Sequence, residues 1–93
     1  MRLTWDQTKR RANIEKHGVD FAAAEAFDWR TAIVVDDRRR EYGERRRIAL
    51  GFIGPSLHSL VYTRRAGMVR VISLRPASRK ERKNYDEAKE KLA

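Results

Sequence analysis

The sequence has no cysteine, which excludes disulfides and thiolate metal sites. It has no apolar run near the roughly 18 residues of a membrane span. Its opening, Met1-Arg2-Leu3-Thr4-Trp5-Asp6, lacks the apolar centre of a secretion signal, so the expected location is cytoplasmic. There is no internal repeat, linker or low-complexity stretch. The 93 residues leave no room for two domains, and one domain over 1–93 is expected. A chain of this length buries roughly 60–65% of its unfolded surface, which implies modest stability.

Charge is abundant. The 22 Lys+Arg and 13 Asp+Glu give a formal net charge of +9. Charged residues reach 38%, but the 41% hydrophobic residues fall in periodic blocks, which argues against disorder. The distribution is uneven. Residues 1–37 hold six bases and seven acids, whereas residues 38–93 hold sixteen bases and six acids. A half this cationic suits a polyanionic partner: nucleic acid, an acidic membrane or an acidic protein. A solubilising surface is the plainer alternative. Arginine is much commoner than lysine, which favours phosphate recognition through the guanidinium fork.

Arg2–Trp5 reads as a short edge strand. Asp6 suits the N-cap of a helix over Gln7–Lys16, with a thin buried stripe of Thr8, Ala12 and Ile14. Lys16-His17-Gly18 reads as that helix's end. Asp20 caps a second short helix, Phe21–Phe27, and Thr31–Val35 is a β-branched strand. A charged loop, Asp36–Glu44, leads to strands Arg46–Ile53, Leu57–Arg64 and Met68–Arg75. The short turns Gly54-Pro55-Ser56 and Arg65-Ala66-Gly67 make these three antiparallel. Ser78-Arg79-Lys80-Glu81 is a capping box that opens a last helix reaching about Leu92, with only Tyr85, Ala88 and Leu92 as its apolar stripe. The expected fold is α+β: an antiparallel sheet of four to five strands, two N-terminal helices and a C-terminal helix, the helices covering one face.

Arg70–Arg82 is the densest stretch of possible chemistry. A strand ends at Arg75, and a helix begins at Ser78 with free N–H groups that attract phosphate. Arg75 and Arg79 flank that point and suit a scissile phosphate. A solvated surface suits Arg79 and Arg82 equally well, and a cap suits Glu81 as well as acid–base work does. Arg70 has opposite parity to Arg75, so without a bulge the two point to opposite faces. In Asp36–Arg47, four acids invite a divalent cation, but six arginines among them favour a salt-bridged loop. Glu44, at the strand entrance with Arg46, would stay ionised beside arginines and is a candidate base. His17 suits acid–base work or a helix-end packing role, and His58 a surface position. Tyr62 suits either the core or contact with a base of RNA. A helix–turn–helix over 6–28 fails, because Phe21–Asp28 offers no base-reading side chain.

Trp5-Asp6, Lys9, Ala12-Asn13-Ile14, Lys16-His17-Gly18, Phe21 and Ala24 resemble the opening of the BrnT toxin family. Asp36, Tyr42-Gly43-Glu44-Arg45-Arg46, Ile48-Ala49-Leu50-Gly51, Val61-Tyr62-Thr63 and Arg70–Tyr85 continue the match over nearly the whole chain. The resemblance implies a RelE-like fold and a ribonuclease toxin of a bacterial type II toxin–antitoxin pair. It implies an RNA substrate, a BrnA-like protein antitoxin in a hetero-oligomer, and operator DNA bound only through that antitoxin. It implies no metal, no other cofactor and no membrane. The catalytic set on this chain would be Glu44 or His17 as base, Arg75, Arg79 and Arg46 as cations, and Tyr62 or a histidine as acid. Arg45, Arg47, Arg70, Lys80 and Arg82 would bind RNA. A non-catalytic basic module that binds nucleic acid or protein is the rival reading.

Overall fold

Strand-forming residues recur in five places, and the computed structural model, which describes residues 2–92, joins them into one sheet. The strands are β1 (Leu3–Trp5), β2 (Phe27–Asp36), β3 (Arg47–Ile53), β4 (Ser56–Arg65) and β5 (Met68–Pro76), in the order β1-β5-β4-β3-β2. Helix α1 (Gln7–His17) follows β1, a 3-10 helix (Phe21–Ala26) precedes β2, and α2 (Arg79–Leu92) follows β5. Met1 and Ala93, the ends of the expected 1–93 domain, lie outside the described residues.

The α+β architecture holds, with corrections. The sheet is mixed: β2 to β5 are antiparallel, but β1 pairs parallel to β5, Leu3 opposite Val69 and Trp5 opposite Val71. The chain leaves β1 through α1 and returns to its neighbour only after three other strands, so no tight turn dictates direction. The second N-terminal helix is a single 3-10 element. β2 spans ten residues rather than the five expected, because its register slips between Asp28 and Ile33 and the irregular segment still pairs at both ends. The helices also do not share one face. The 3-10 helix packs on the face carrying Ala49, Leu60, Tyr62, Val69, Val71 and Leu74. Helix α2 crosses the other, where Tyr85 and Ala77 meet Leu57, Leu50, Phe52 and Ile33.

The main core is built around Phe21, fully buried, with Phe27, Leu60, Leu74 and Val69 around it. Gly51 is required there. A Cβ at this position would lie 2.7 Å from the Phe27 ring. Tyr85 anchors α2: its hydroxyl donates to the Thr31 carbonyl at 2.6 Å, and its ring meets Phe52 edge-on. The rest of the expected stripe contributes little, since Leu92 is 75% exposed.

Helix α1 is seated by a polar residue. Its expected stripe is not buried; Ile14 is exposed, and Asn13 is the one buried residue of the helix. β1 stops opposite Val71, so the edge of β5 beyond it lacks a strand partner. Asn13 takes that place. Its Oδ1 accepts from the Leu74 N–H at 3.2 Å, and its Nδ2 donates to the Leu74 carbonyl at 2.7 Å and to the Val19 carbonyl at 2.9 Å. Asp6 caps the helix start by accepting from the Thr8 and Lys9 N–H groups, and Gly18 ends it at φ 70°.

Candidate active site

A bulge decides which arginines meet. Val61 pairs with Ser73, but Tyr62 pairs with Val71, so Ile72 is an extra residue in β5. The core-facing residues are accordingly Val69, Val71 and Leu74, and the parity switches between them. Arg70 and Arg75, which regular alternation would separate, now stand on the same face with Ser73 between them.

Helix α1 runs beside this strand in the same direction. Asp6 lies near Arg70, Asn13 binds Leu74, and His17 lies near Arg75. Residues spaced 3, 4, 7 and 8 apart share a helix face, so Lys9, Ala12, Asn13, Lys16 and His17 line up together. With Ile72 and Ser73 they line a cleft of about 190 Å³. The helix's consistent stripe is therefore polar and cationic, which is why a search for apolar periodicity finds so little in it.

His17 is partly buried. Burial first, then the charges of Lys16 and Arg75, push its imidazole below its usual range near 6.5. It is neutral at pH 7 and able to accept a proton. Arg75 is held by Glu81, its Nη1 and Nη2 donating to the two carboxylate oxygens at 2.7 and 3.0 Å. Nη1 also reaches the Pro76 carbonyl at 3.3 Å. The Nε–H and the second Nη2–H, on the guanidinium's other edge, have no partner among the described residues and form a two-donor fork. Glu81 is thus both cap and brace. It accepts from the Ser78 N–H at 2.8 Å, while Ser78 Oγ accepts from the Glu81 N–H at 3.1 Å. Arg75 first, then the Ser78 N–H, keep its carboxyl below the usual range. The capping box occupies the Ser78 and Glu81 N–H groups and sets a carboxylate at the start of α2, which opposes a phosphate there. Arg79 and Lys80 are exposed on the first turn of α2. Arg82 faces a separate hollow with Phe52, Leu57, Pro76 and Asp86.

The remaining expected residues lie elsewhere. Arg47 stands opposite Tyr62, whereas Arg75 stands opposite Ser59. Three residues, about 10 Å, separate them along β4, and two strand spacings, about 10 Å, across the sheet. Glu44 is further out still, so one phosphate cannot touch both Glu44 and Arg75. Tyr62 is 2% exposed, with its ring against Trp29, and takes the core alternative.

The loop between β2 and β3 opens a larger hollow of about 590 Å³, lined by residues that include Asp36, Asp37, Tyr42, Glu44, Arg45 and Arg46. It is laced by ion pairs. Asp36 receives Arg45, Arg38 and Arg47; Glu44 receives Arg46 and Arg65; fully buried Asp37 receives Arg39 and the Tyr42 hydroxyl. Arg46 also stacks on Tyr42, 4.1 Å from the ring centre. Arg46 first and Arg65 next hold Glu44 below the usual carboxylate range. It is ionised, as the sequence implies, but committed to two cations. No three His, Asp or Glu side chains among the described residues converge as a metal site. No helix among them is long and apolar enough to cross a membrane.

A search of curated proteins finds no match to this chain. Residues 5–81 do match a family model, that of the ribonuclease toxin BrnT of type II toxin–antitoxin systems. The match spans the last residue of β1, α1, strands β2 to β5 and the Arg75–Glu81 pair, ending in the first turn of α2. With the cationic cleft and its neutral histidine, it shows that this chain belongs to the BrnT family of ribonuclease toxins.

Proposed function

We propose that the chain is a metal-independent endoribonuclease of RelE-like fold that cuts RNA in the cleft between α1 and β5. The observation that supports this most is that His17, on the cleft wall, lies near enough to Arg75 to feel its charge, while one edge of that guanidinium has no partner among the described residues. An RNA phosphate seated on the Arg75 Nε–H and Nη2–H is oriented by two parallel bonds. The neutral His17 imidazole takes the proton of the adjacent 2′-hydroxyl. The 2′-oxygen attacks phosphorus, the bond from phosphorus to the 5′-oxygen breaks, and water protonates the leaving oxygen. The products are a 2′,3′-cyclic phosphate and a 5′-hydroxyl end. Arg75, with Arg79 on the first turn of α2, offsets the charge that builds on the phosphorane. These cations supply what a metal would otherwise supply.

A type II toxin has a protein antitoxin. We assign it a BrnA-like partner, acidic where it meets the cleft, forming a hetero-oligomer that touches operator DNA only through the antitoxin. Net charge +9 on this chain favours fast, salt-sensitive association with such a partner.

The test uses purified protein, total RNA and excess EDTA. Cleavage persists in the wild type, leaves cyclic phosphate ends, and falls at least about 100-fold in folded Arg75→Ala and His17→Ala. Loss of cleavage in EDTA with recovery in Mg²⁺ overturns metal independence. RNA binding without cleavage under any condition favours the non-catalytic module.

A further inference from the structure

We infer that Lys9 and Lys16 form a phosphate-binding rail that carries the single-stranded RNA backbone into the cleft. The inference rests on the proposed ribonuclease reading and extends it to residues outside the reacting centre. Both lysines are exposed, share the α1 face that lines the cleft, and face Ile72 and Ser73 across it. All nine ion pairs among the described residues use arginine, so neither lysine is paired to a carboxylate. Asp6, the nearest acid to Lys9, is committed to the helix cap and also lies near Arg70.

The spacing fits a strand. Seven residues of helix separate the lysines by about 10.5 Å, too far for one phosphate to bridge, so each lysine meets its own phosphate of the strand. Arg70 and Arg75, opposite Thr63 and Ser59 and so about 13 Å apart, share the sheet face of Ser73, which lines the cleft's other side. Asn13 fixes the two sides relative to one another, since it ties α1 to β5 midway between the lysines. A shallow cleft with lysines along one wall and Ile72 and Ser73 on the other suits one nucleic-acid strand, held by its backbone, which carries no sequence information.

The experiment compares wild type, Lys9→Ala/Lys16→Ala and Lys9→Arg/Lys16→Arg. Binding of labelled oligouridylate is measured by anisotropy over a range of salt, and cleavage of oligouridylate is measured beside cleavage of the dinucleotide UpU. The alanine pair weakens oligouridylate binding and lowers the slope of log K against log salt by about 1.4, from about 0.7 per lost phosphate contact. Its loss of kcat/KM on UpU, which has a single phosphate, is at least about tenfold smaller than its loss on oligouridylate, and the arginine pair restores the slope. An unchanged slope overturns the rail, as does an equal loss on UpU and oligouridylate. A lysine effect on antitoxin binding alone, with RNA binding intact, assigns the face to the protein partner and also overturns it. If the wild type binds oligouridylate with the expected slope but cuts nothing, the catalytic reading fails and the rail stands.

Discussion

Replacing Asn13 by alanine removes three hydrogen bonds with one side chain, and the structure sets the size of the effect. Leu74 has no exposed surface, so its N–H and C=O lose their partners away from water. An orphaned buried polar group costs about 1–3 kcal/mol. The Val19 carbonyl is only partly buried and can find water, so it adds little. Two orphaned groups give about 2–6 kcal/mol, a large share of the roughly 5–14 kcal/mol expected for a domain of this length. Urea unfolding followed by far-ultraviolet circular dichroism measures it. The midpoint falls by at least about 1 M with the slope unchanged, taking a slope of 1–2 kcal/mol/M. Asn13→Asp separates bonding from shape. It keeps an acceptor for the Leu74 N–H but turns a carboxylate toward two carbonyls, which raises that carboxyl's pKa. A group whose folded pKa is raised above its unfolded value costs stability at high pH, so Asn13→Asp is weaker at pH 7 than at pH 4 relative to wild type. A loss under about 0.5 kcal/mol for Asn13→Ala, the range of an ordinary surface change, refutes the claim that this amide substitutes for a strand.

Gly51→Ala forces a methyl group against the Phe27 ring and lowers stability by about 1–3 kcal/mol, read as a lower melting temperature. Glu81→Gln keeps the acceptor for the Ser78 N–H but removes the charge that braces Arg75; kcat on RNA falls about tenfold with KM little changed, and a rise in activity would make Glu81 a competitor of phosphate instead. The Arg10 guanidinium and the Ala22 N–H push Asp20 down to about 2, and Arg39 holds Asp37 below the usual carboxylate range. Both folded values lie below the ordinary carboxylate near 3.9, so this stability is complete above about pH 4 and lost as pH falls toward 2; thermal melts from pH 6 to 2 show the decline, and Asp37→Asn flattens it.

Most elements are legible in the sequence because local signals agree with the fold. Asp6 and Gly18 bound α1, Ser78 and Glu81 open α2, and the turns before Ser56 and after Arg65 set three antiparallel strands. What is not legible depends on partners distant in sequence. Asn13 is 61 residues from Leu74, and nothing local marks it as a strand substitute. Ile72 looks like any β-branched strand residue, yet as the extra residue of a bulge it decides that Arg70 and Arg75 share a face. Lys9 and Lys16 read as solvated helix positions until β5 is placed beside them. His17 and Arg75 are candidates from residue type and position alone, and only the fold sets them apart from Glu44 and Arg46.

Net charge alone misplaces the attraction for a polyanion. Six of the nine ion pairs involve Asp36, Asp37 or Glu44, so the arginines of the β2–β3 loop are largely matched by carboxylates beside them. At physiological salt, charges are screened over about 8 Å, and a bound phosphate responds to the cations around it rather than to the chain's total. Around the α1–β5 cleft the nearby acids are Asp6, committed to a helix cap, and Glu81, paired with Arg75. Among the described residues, Lys9, Lys16, Arg70 and Arg79 enter none of the nine ion pairs. The two regions therefore respond differently to the same change. Arg45→Ala leaves Asp36 with fewer cations and loosens the loop, but lowers oligouridylate affinity by less than about twofold. Lys16→Ala lowers affinity severalfold and the salt slope by about 0.7. Anisotropy titrations of both variants at low and moderate salt make the comparison. A larger loss from Arg45→Ala than from Lys16→Ala would place the RNA on the loop and remove the cleft as its primary site.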